Sequence, residues 1–202
     1  VAALNNIGEV ELALRNLPTA KEFFDRAQSL FDNDTDSETE IVVLSNIGEV
    51  EMRLDNLEHA EEIFQRALLL AQSTDDRVHH GELLVRLGAL ESRRGNTDDA
   101  ERYYIDSMRI AREIRNPAMR CAALIQIGDL HGEHDEADMA FQYYSQALEL
   151  SDTFASRYFA YRVHKRIAEL YEKQDRPAEA LEQYKRYMEL KSEIISESAE
   201  HR

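Results

Sequence analysis

The sequence predicts an all-α fold, a solenoid of five helical hairpins that ends in a long C-terminal helix. Three observations predict it. The 202-residue chain repeats on a 40-residue ruler without an insertion. Apolar residues inside each copy fall at three- and four-residue steps, the spacing of one helix face. Three prolines and seven glycines leave few residues for the turns of a β protein.

The columns of the repeat justify the elements in order. In the first helix of each hairpin, Gly8, Gly48, Gly88 and Gly128 share a column, with Ala168 in the fifth copy. Ile7, Ile47, Leu87, Ile127 and Ile167 precede it, and Val10, Val50, Leu90, Leu130 and Leu170 follow. Glycine costs about 1 kcal/mol of helix propensity against alanine, so keeping it marks a place where two helices nearly touch. A turn follows, as in the stretch 94–98, where Gly95 can adopt positive φ and stop the helix. The second helix carries Ala20, Ala60, Ala100, Ala140 and Ala180, then the aromatic column Phe24, Phe64, Tyr104, Tyr144 and Tyr184, then Leu30, Leu70, Ile110, Leu150 and Leu190. Start signals sit at the junctions between copies. Ser37 and Glu40 have capping-box spacing, and Asn116 followed by Pro117 reads as N-cap and first helical residue. The repeats run over about 1–36, 37–76, 77–116, 117–152 and 153–190, in one domain of residues 1–202. From Ala178 to His201 neither proline nor glycine interrupts the last helix, whose Tyr184, Tyr187, Leu190 or Lys191, Ile194 and Ser198 follow an approximate heptad. No copy buries its apolar face alone, and stacking supplies the core.

Forty acidic residues against 24 basic ones give a formal net charge of −16. Such a surface repels phosphate backbones and anionic membranes, which excludes nucleic acid and membrane as general partners. No run of about 18 apolar residues is present, and no signal peptide is visible. Cys121 is the one cysteine, so no intrachain disulfide forms, which fits the cytoplasm. The chain starts without methionine inside one apolar-periodic stretch and ends inside another, as expected of a piece of a longer protein.

This pattern resembles the tetratricopeptide repeat family. The family signature is a leucine or aromatic, an aliphatic-glycine pair three residues on, then alanine, a large aromatic and a second alanine in the next helix. Here it reads Leu4, Ile7-Gly8, Ala20, Phe24, Ala27 and Leu44, Ile47-Gly48, Ala60, Phe64, Ala67. The resemblance covers the whole chain and implies a right-handed α-solenoid. Three departures stand out. The period is 40 residues rather than the commoner 34, the long-helix variety. The tyrosine expected three residues after the glycine is Glu11, Glu51, Glu91 and His131, and returns at Tyr171. The second alanine becomes Ser107 and Tyr187, and the large ring of Tyr187 implies that the final helix meets no standard sixth repeat.

The resemblance also implies where a partner binds. First helices line a concave groove that takes extended or helical peptides, through positions two and three residues before the glycine and one, four and five after it. The column two before the glycine holds Asn6, Asn46, Arg86, Gln126 and Arg166, all hydrogen-bond donors. Asn6 and Asn46 match the asparagine ladder that grips a ligand backbone in peptide-binding relatives. Further groove candidates are Ser45, Glu49, Arg53, Arg93, Asp129, Arg162, Lys165 and Glu169. The basic ones gather in the third and fifth copies and suit an anionic partner segment. A heat-shock-chaperone tail clamp needs a lysine three before the glycine and an asparagine one after. Only Lys165 fits, so that clamp is rejected.

Catalytic and metal signals do not assemble. No phosphate-cradling glycine loop or nucleophile elbow occurs, so the chain reads as no enzyme and as needing no cofactor. His131 and His134, near Asp129 and Asp135, lack a His-Glu-x-x-His motif or a cysteine pair and read as surface histidines. His164 stands in the leucine column as a core histidine, and Cys121 reads as a small packed residue.

The segment 184–194 resembles the exit helix of tetratricopeptide sensor regions in bacterial signalling proteins, which continues toward an output domain such as a diguanylate cyclase or histidine kinase. A plain capping helix is the other reading. The expected function is thus a cytoplasmic scaffold that binds a protein or peptide segment, as the regulatory or sensory domain of a larger bacterial signalling protein, with a homodimer contact through the C-terminal helix. The alternative is a stand-alone adaptor or peptide-responsive regulator, like the spindle-orientation and peptide-pheromone families with long repeats.

Overall fold

The computed structural model describes residues 1–32 and 34–200, with side chains as far as residue 197. Ten α-helices follow one another among the described residues: α1 Ala2–Ala13, α2 Leu17–Ser29, α3 Ser37–Arg53, α4 Leu57–Ser73, α5 Arg77–Arg94, α6 Thr97–Glu113, α7 Pro117–Glu133, α8 Ala137–Thr153, α9 Arg157–Lys173 and α10 Pro177–Glu200. Odd-numbered helices are the first members of the expected hairpins and even-numbered helices the second. Consecutive helices pack on each other from α1 to α5 and from α7 to α10, and first helices also touch, α1 with α3, α3 with α5 and α7 with α9. None of the helices is long and apolar enough to cross a membrane. Ser198 and His201, named in reading the last helix, lie outside the described side chains and residues.

A 20-residue half-period governs the turns. Arg15, Asp55, Asp75, Gly95, Arg115, Asp135, Ala155 and Asp175 all take positive φ, from 51° to 80°. Each ends a helix in the left-handed conformation. The next backbone N–H then returns to the carbonyl five residues earlier, as in Asn56 to Glu51, Asn96 to Glu91 and Arg176 to Tyr171, each at 2.9 Å. Gly95, the stop read from the sequence, has φ of 80°. The other stops use side-chain residues, of which aspartate tolerates this conformation best. Side chains of Asp36, Asp76 and Asn116 cap the starts of α3, α5 and α7. Asn116 accepts from the Met119 N–H at 3.0 Å, with Pro117 opening α7 as expected. The Ser37–Glu40 capping box does not form. Asp36 takes the cap one residue earlier, accepting from the Thr39 N–H at 2.8 Å, and Ser37 becomes the first helical residue. A carboxylate is the stronger acceptor for orphan amides at a positive helix end.

The two small-residue columns set the hairpin packing. A methyl added at Gly8, Gly88 or Gly128 would sit 2.5 Å from a ring carbon of Phe24, Tyr104 or Tyr144, so the ring lies directly on the glycine backbone. Those rings and Phe64 are at most 3% exposed. Burying each stabilises by roughly 2–3 kcal/mol. In the fifth hairpin Ala168 already carries that methyl, and Tyr184 lies half-exposed with its hydroxyl on Glu172 at 2.8 Å.

Contacts divide the chain into two compact units, Val1–Asp106 and the remainder from Ser107, the division falling inside α6. The first unit has a core of Phe24, Ile41, Leu44, Ile47, Phe64, Leu83, Leu87 and their neighbours. The second centres on Cys121, Leu124, Ile125, Tyr144, Val163 and Ile167. Cys121 is fully buried and donates to the Ala147 carbonyl at 3.3 Å, and burial pushes its thiol up to about 11. His164 is half-buried, its Nδ1 2.8 Å from the Gln183 amide oxygen.

Candidate functional site

In the first unit the polar residues of the first helices form one hydrogen-bonded ladder. Asn5 on α1 donates to Glu9 at 2.9 Å. Asn46 on α3 reaches back to both, donating to Asn5 at 2.9 Å and to Glu9 at 3.0 Å. One copy further on, Arg86 of α5 pairs with Glu49 at 3.0 Å, and Glu49 also receives Arg53 at 2.6 Å. Arg93 reaches the Met52 carbonyl at the end of α3 and Asp55 in the turn after it, the latter at 3.0 Å. A residue two before the glycine thus bonds to the acid one after the glycine in the preceding copy. Ser45 and Asn46 are nearly buried, at 7% and 8% exposure, whereas Asn6 is exposed.

The second unit repeats this rule with stronger charges. Arg166 of α9 pairs with Asp129 of α7 at 3.0 Å and with Glu169 on its own helix at 3.2 Å. Lys165 also reaches Glu169, at 3.3 Å. The Tyr144 hydroxyl, from below, donates to Asp129 at 2.7 Å. Burial raises the Asp129 carboxyl above its usual range, outweighing the opposing pull of Arg166 and Tyr144. Asp129, Tyr144, Arg166, Glu169 and Lys173 line a pocket of about 140 Å³ between these helices. Lys173 donates to the Gly132 carbonyl at 3.2 Å, as Arg93 does to that of Met52. Gln126 is half-buried on α7, and the Arg162 guanidinium lies 5.5 Å from the centre of the Tyr158 ring.

The glutamates that replace the expected tyrosine belong to a second device, which sequence reading missed. Glu11, Glu51 and Glu91 accept from the side chains of Asn16, Asn56 and Asn96 at 2.9, 2.7 and 2.6 Å. These asparagines stand at the start of each second helix. Asn16 and Asn56 make no side-chain cap bond, and each turns its amide N–H to the glutamate. In the fourth hairpin the pair becomes His131 and Glu136, 2.5 Å apart, with the imidazole stacked on Tyr143. In the fifth it is Arg176 over the Tyr171 ring, 4.5 Å from its centre. Two columns five residues apart thus change together, and that covariation within one chain was the available signal. The same residues reach the neighbouring copy. Glu51 is 1% exposed and also binds Lys21 of α2. Burial alone would raise its carboxyl, but the bonds from Lys21 and Asn56 hold it below the usual glutamate value. Arg94 bridges Glu61 at 2.7 Å and Glu91 at 2.9 Å, and Phe141 packs on Tyr171 at 4.8 Å.

Of the heptad read on the last helix, Tyr184, Tyr187, Leu190 and Ile194 are half-buried, with Tyr187 against Tyr161 at 5.8 Å between ring centres. The open apolar residues of α10 are instead Leu181, Met188 and Ile195, seven apart and 56–59% exposed.

The profile of the tetratricopeptide repeat family matches residues 1–73, 39–113 and 80–153. No curated protein sequence is significantly similar to the chain. Among solved structures, the chain is similar to the Rap conjugation gene regulator of plasmid pLS20 in complex with the Phr* peptide. That likeness has 16% identity and a TM-score of 0.81, over 93% of this chain and 52% of that one. It is also similar to a Rap protein complexed with competence and sporulation factor, at 15% identity, 94% and 53% coverage and a TM-score of 0.83. A third likeness is to a signal transduction ATPase with numerous domains from Pyrococcus horikoshii, which has a tetratricopeptide repeat sensor, at 18% identity, 93% and 29% coverage and a TM-score of 0.73. The chain spans about half the length of the two Rap proteins, and at these identities the likeness is one of fold.

Proposed function

Because the chain belongs to the tetratricopeptide repeat family, a family of protein-binding scaffolds, we propose that its first-helix face holds an extended peptide segment of a partner. We further propose that it does so as the cytoplasmic regulatory or sensory part of a larger signalling protein, whose output is a domain such as a diguanylate cyclase or histidine kinase. The observation that carries the binding reading is the polar ladder itself. Asn46, Arg86 and Arg166 are held at one column by carboxylates of the preceding copy, so their orientation is set before a ligand arrives. This is a surface for binding rather than for catalysis. The sensor region of the Pyrococcus horikoshii protein supports the signalling part of the reading.

A second reading is a peptide-responsive regulator acting without an attached output. The structure of a Rap regulator in complex with a Phr* peptide favours it. The exposed stripe of Leu181, Met188 and Ile195 supports a homodimer contact through α10 in either case.

Peptide-library capture by wild type, Asn46→Ala and Arg86→Ala tests the binding face. Both variants should lose captured peptides by about tenfold in affinity, with helix content by circular dichroism unchanged. Equal capture by all three proteins would remove this face from the binding site. Reading the gene on both sides of the chain separates the two regulatory readings.

A further inference from the structure

The first-helix face does not carry one chemistry along its length. Along α7 its positions hold Ala118, Ala122, Gln126, Asp129 and Glu133, which include two carboxylates and no cation. Along α9 the same columns hold Tyr158, Arg162, Arg166, Glu169 and Lys173, with Lys165 beside them. Four cations, with the carboxylates Glu169 and Glu172, therefore stand on one face of one helix, in a chain of net charge −16.

Most first-helix cations are already occupied. Arg53 and Arg86 are on Glu49, Arg93 on Asp55, Lys165 on Glu169, Arg166 on Asp129 and Glu169, and Lys173 on a backbone carbonyl. Arg162 differs. Among the described residues it forms no ion pair, and its guanidinium leans on the Tyr158 ring, which is 51% exposed. A guanidinium in this setting keeps its fork of N–H donors for a planar carboxylate. The same columns on α7 hold Ala118 and Ala122, short side chains without charge. Lys165, 46% exposed, lies about one helical turn further along.

We propose that the N-terminal half of the α9 face, Tyr158, Arg162 and Lys165, is the specificity-determining subsite for an acidic peptide segment with carboxylates at alternate positions. This rests on the peptide-binding reading of the same face and names the chemistry it selects. In an extended peptide, residues two apart project to one side about 6.7 Å from each other. That spacing is close to the pitch that separates Arg162 from Lys165 and Arg166. The first carboxylate takes Arg162 in a bidentate pair, and the second draws Lys165 away from its exposed bond with Glu169. A long polyanion such as nucleic acid would extend past this short stripe onto the acidic surface and be repelled.

The test is fluorescence anisotropy with three labelled probes: a short peptide of alternating glutamate and serine, its glutamine counterpart, and a single-stranded oligonucleotide of equal charge. The glutamate peptide should bind wild type, more weakly as salt rises, and at least about tenfold tighter than the glutamine peptide. Arg162→Gln should lose about tenfold, Arg162→Lys less than that, and the control Arg66→Gln on α4 nothing. Three outcomes overturn the proposal: equal binding of both peptides, equal binding by wild type and Arg162→Gln, or no glutamate-peptide binding up to about 1 mM, a very weak affinity. Preference for the oligonucleotide over the glutamate peptide overturns it as well. Library capture that stays sensitive to Asn46→Ala while these outcomes are seen leaves the peptide-binding reading standing and removes only its acidic selectivity.

Discussion

Glu51 in the first unit and Asp129 in the second are both first-helix carboxylates that tie one hairpin to the next, yet their environments push them in opposite directions. Glu51 is held below the usual glutamate value because two donors outweigh its burial. Asp129 is raised because burial outweighs a tyrosine hydroxyl and a partly exposed arginine. Around Glu51 the charge is shared by Lys21, Asn56 and the half-exposed His59, the last at 3.4 Å. Around the second unit's equivalent column the carboxylate is gone, replaced by the rings of His131 and Tyr171. One backbone plan thus tolerates two electrostatic solutions, because the glycine and alanine columns set the packing and leave the turn-side columns free to vary.

Overpacking tests the part that both units share. Gly48→Ala and Gly128→Ala should each cost about 2–3 kcal/mol in urea unfolding, since the new methyl meets a buried ring while the helix-propensity gain is only about 1 kcal/mol. Unequal costs would show that the two units do not share the same hairpin packing. Next in size is Glu51→Ala, about 2 kcal/mol, because Asn56 and Lys21 lose their acceptor in a nearly closed site. Asn56→Ala should cost about 1 kcal/mol by the same measurement.

Acid titration of stability sharpens the contrast by its sign. The Glu51 contribution is present above its ordinary value of 4.5 and is lost as pH falls through its lower folded value. Wild type should therefore lose its advantage over Glu51→Gln in acid. For Asp129 the favourable contribution exists below its ordinary value of 3.8 and disappears as pH rises through its raised folded value. Wild type should accordingly gain on Asp129→Asn as pH falls. Parallel trends in the two comparisons would contradict the environments described. The smallest effect is expected for Arg53→Ala, within about 0.5 kcal/mol by thermal unfolding, because its pair with Glu49 lies at the surface.

The helices and their order were legible because helical periodicity and small-residue columns recur in every copy, and Gly8 against Phe24 repeats as Gly128 against Tyr144. The groove columns were legible as positions but not as bonds. Asn46 was visible as a donor, while its acceptors Asn5 and Glu9 lie some 40 residues away and meet it only through stacking. The stops at Asp55, Asp135 and Asp175 were harder to see than Gly95, since aspartate has many other uses in a sequence. The departure at Glu51 looked like a lost tyrosine. It is a gained acceptor for Asn56 and for Lys21.

By itself the sequence determined the all-α hairpin repeat, since a 40-residue apolar register admits few other ways to bury its faces. It also determined the acidity that limits which partners can approach. The tertiary structure decided which polar side chains are already satisfied and which remain available. Arg166 and Arg162 sit four residues apart on one helix, yet the first reaches across to Asp129 on α7 while the second lies on the Tyr158 ring of its own helix. Ion pairs between copies depend on distances of a few ångströms, which periodicity does not encode.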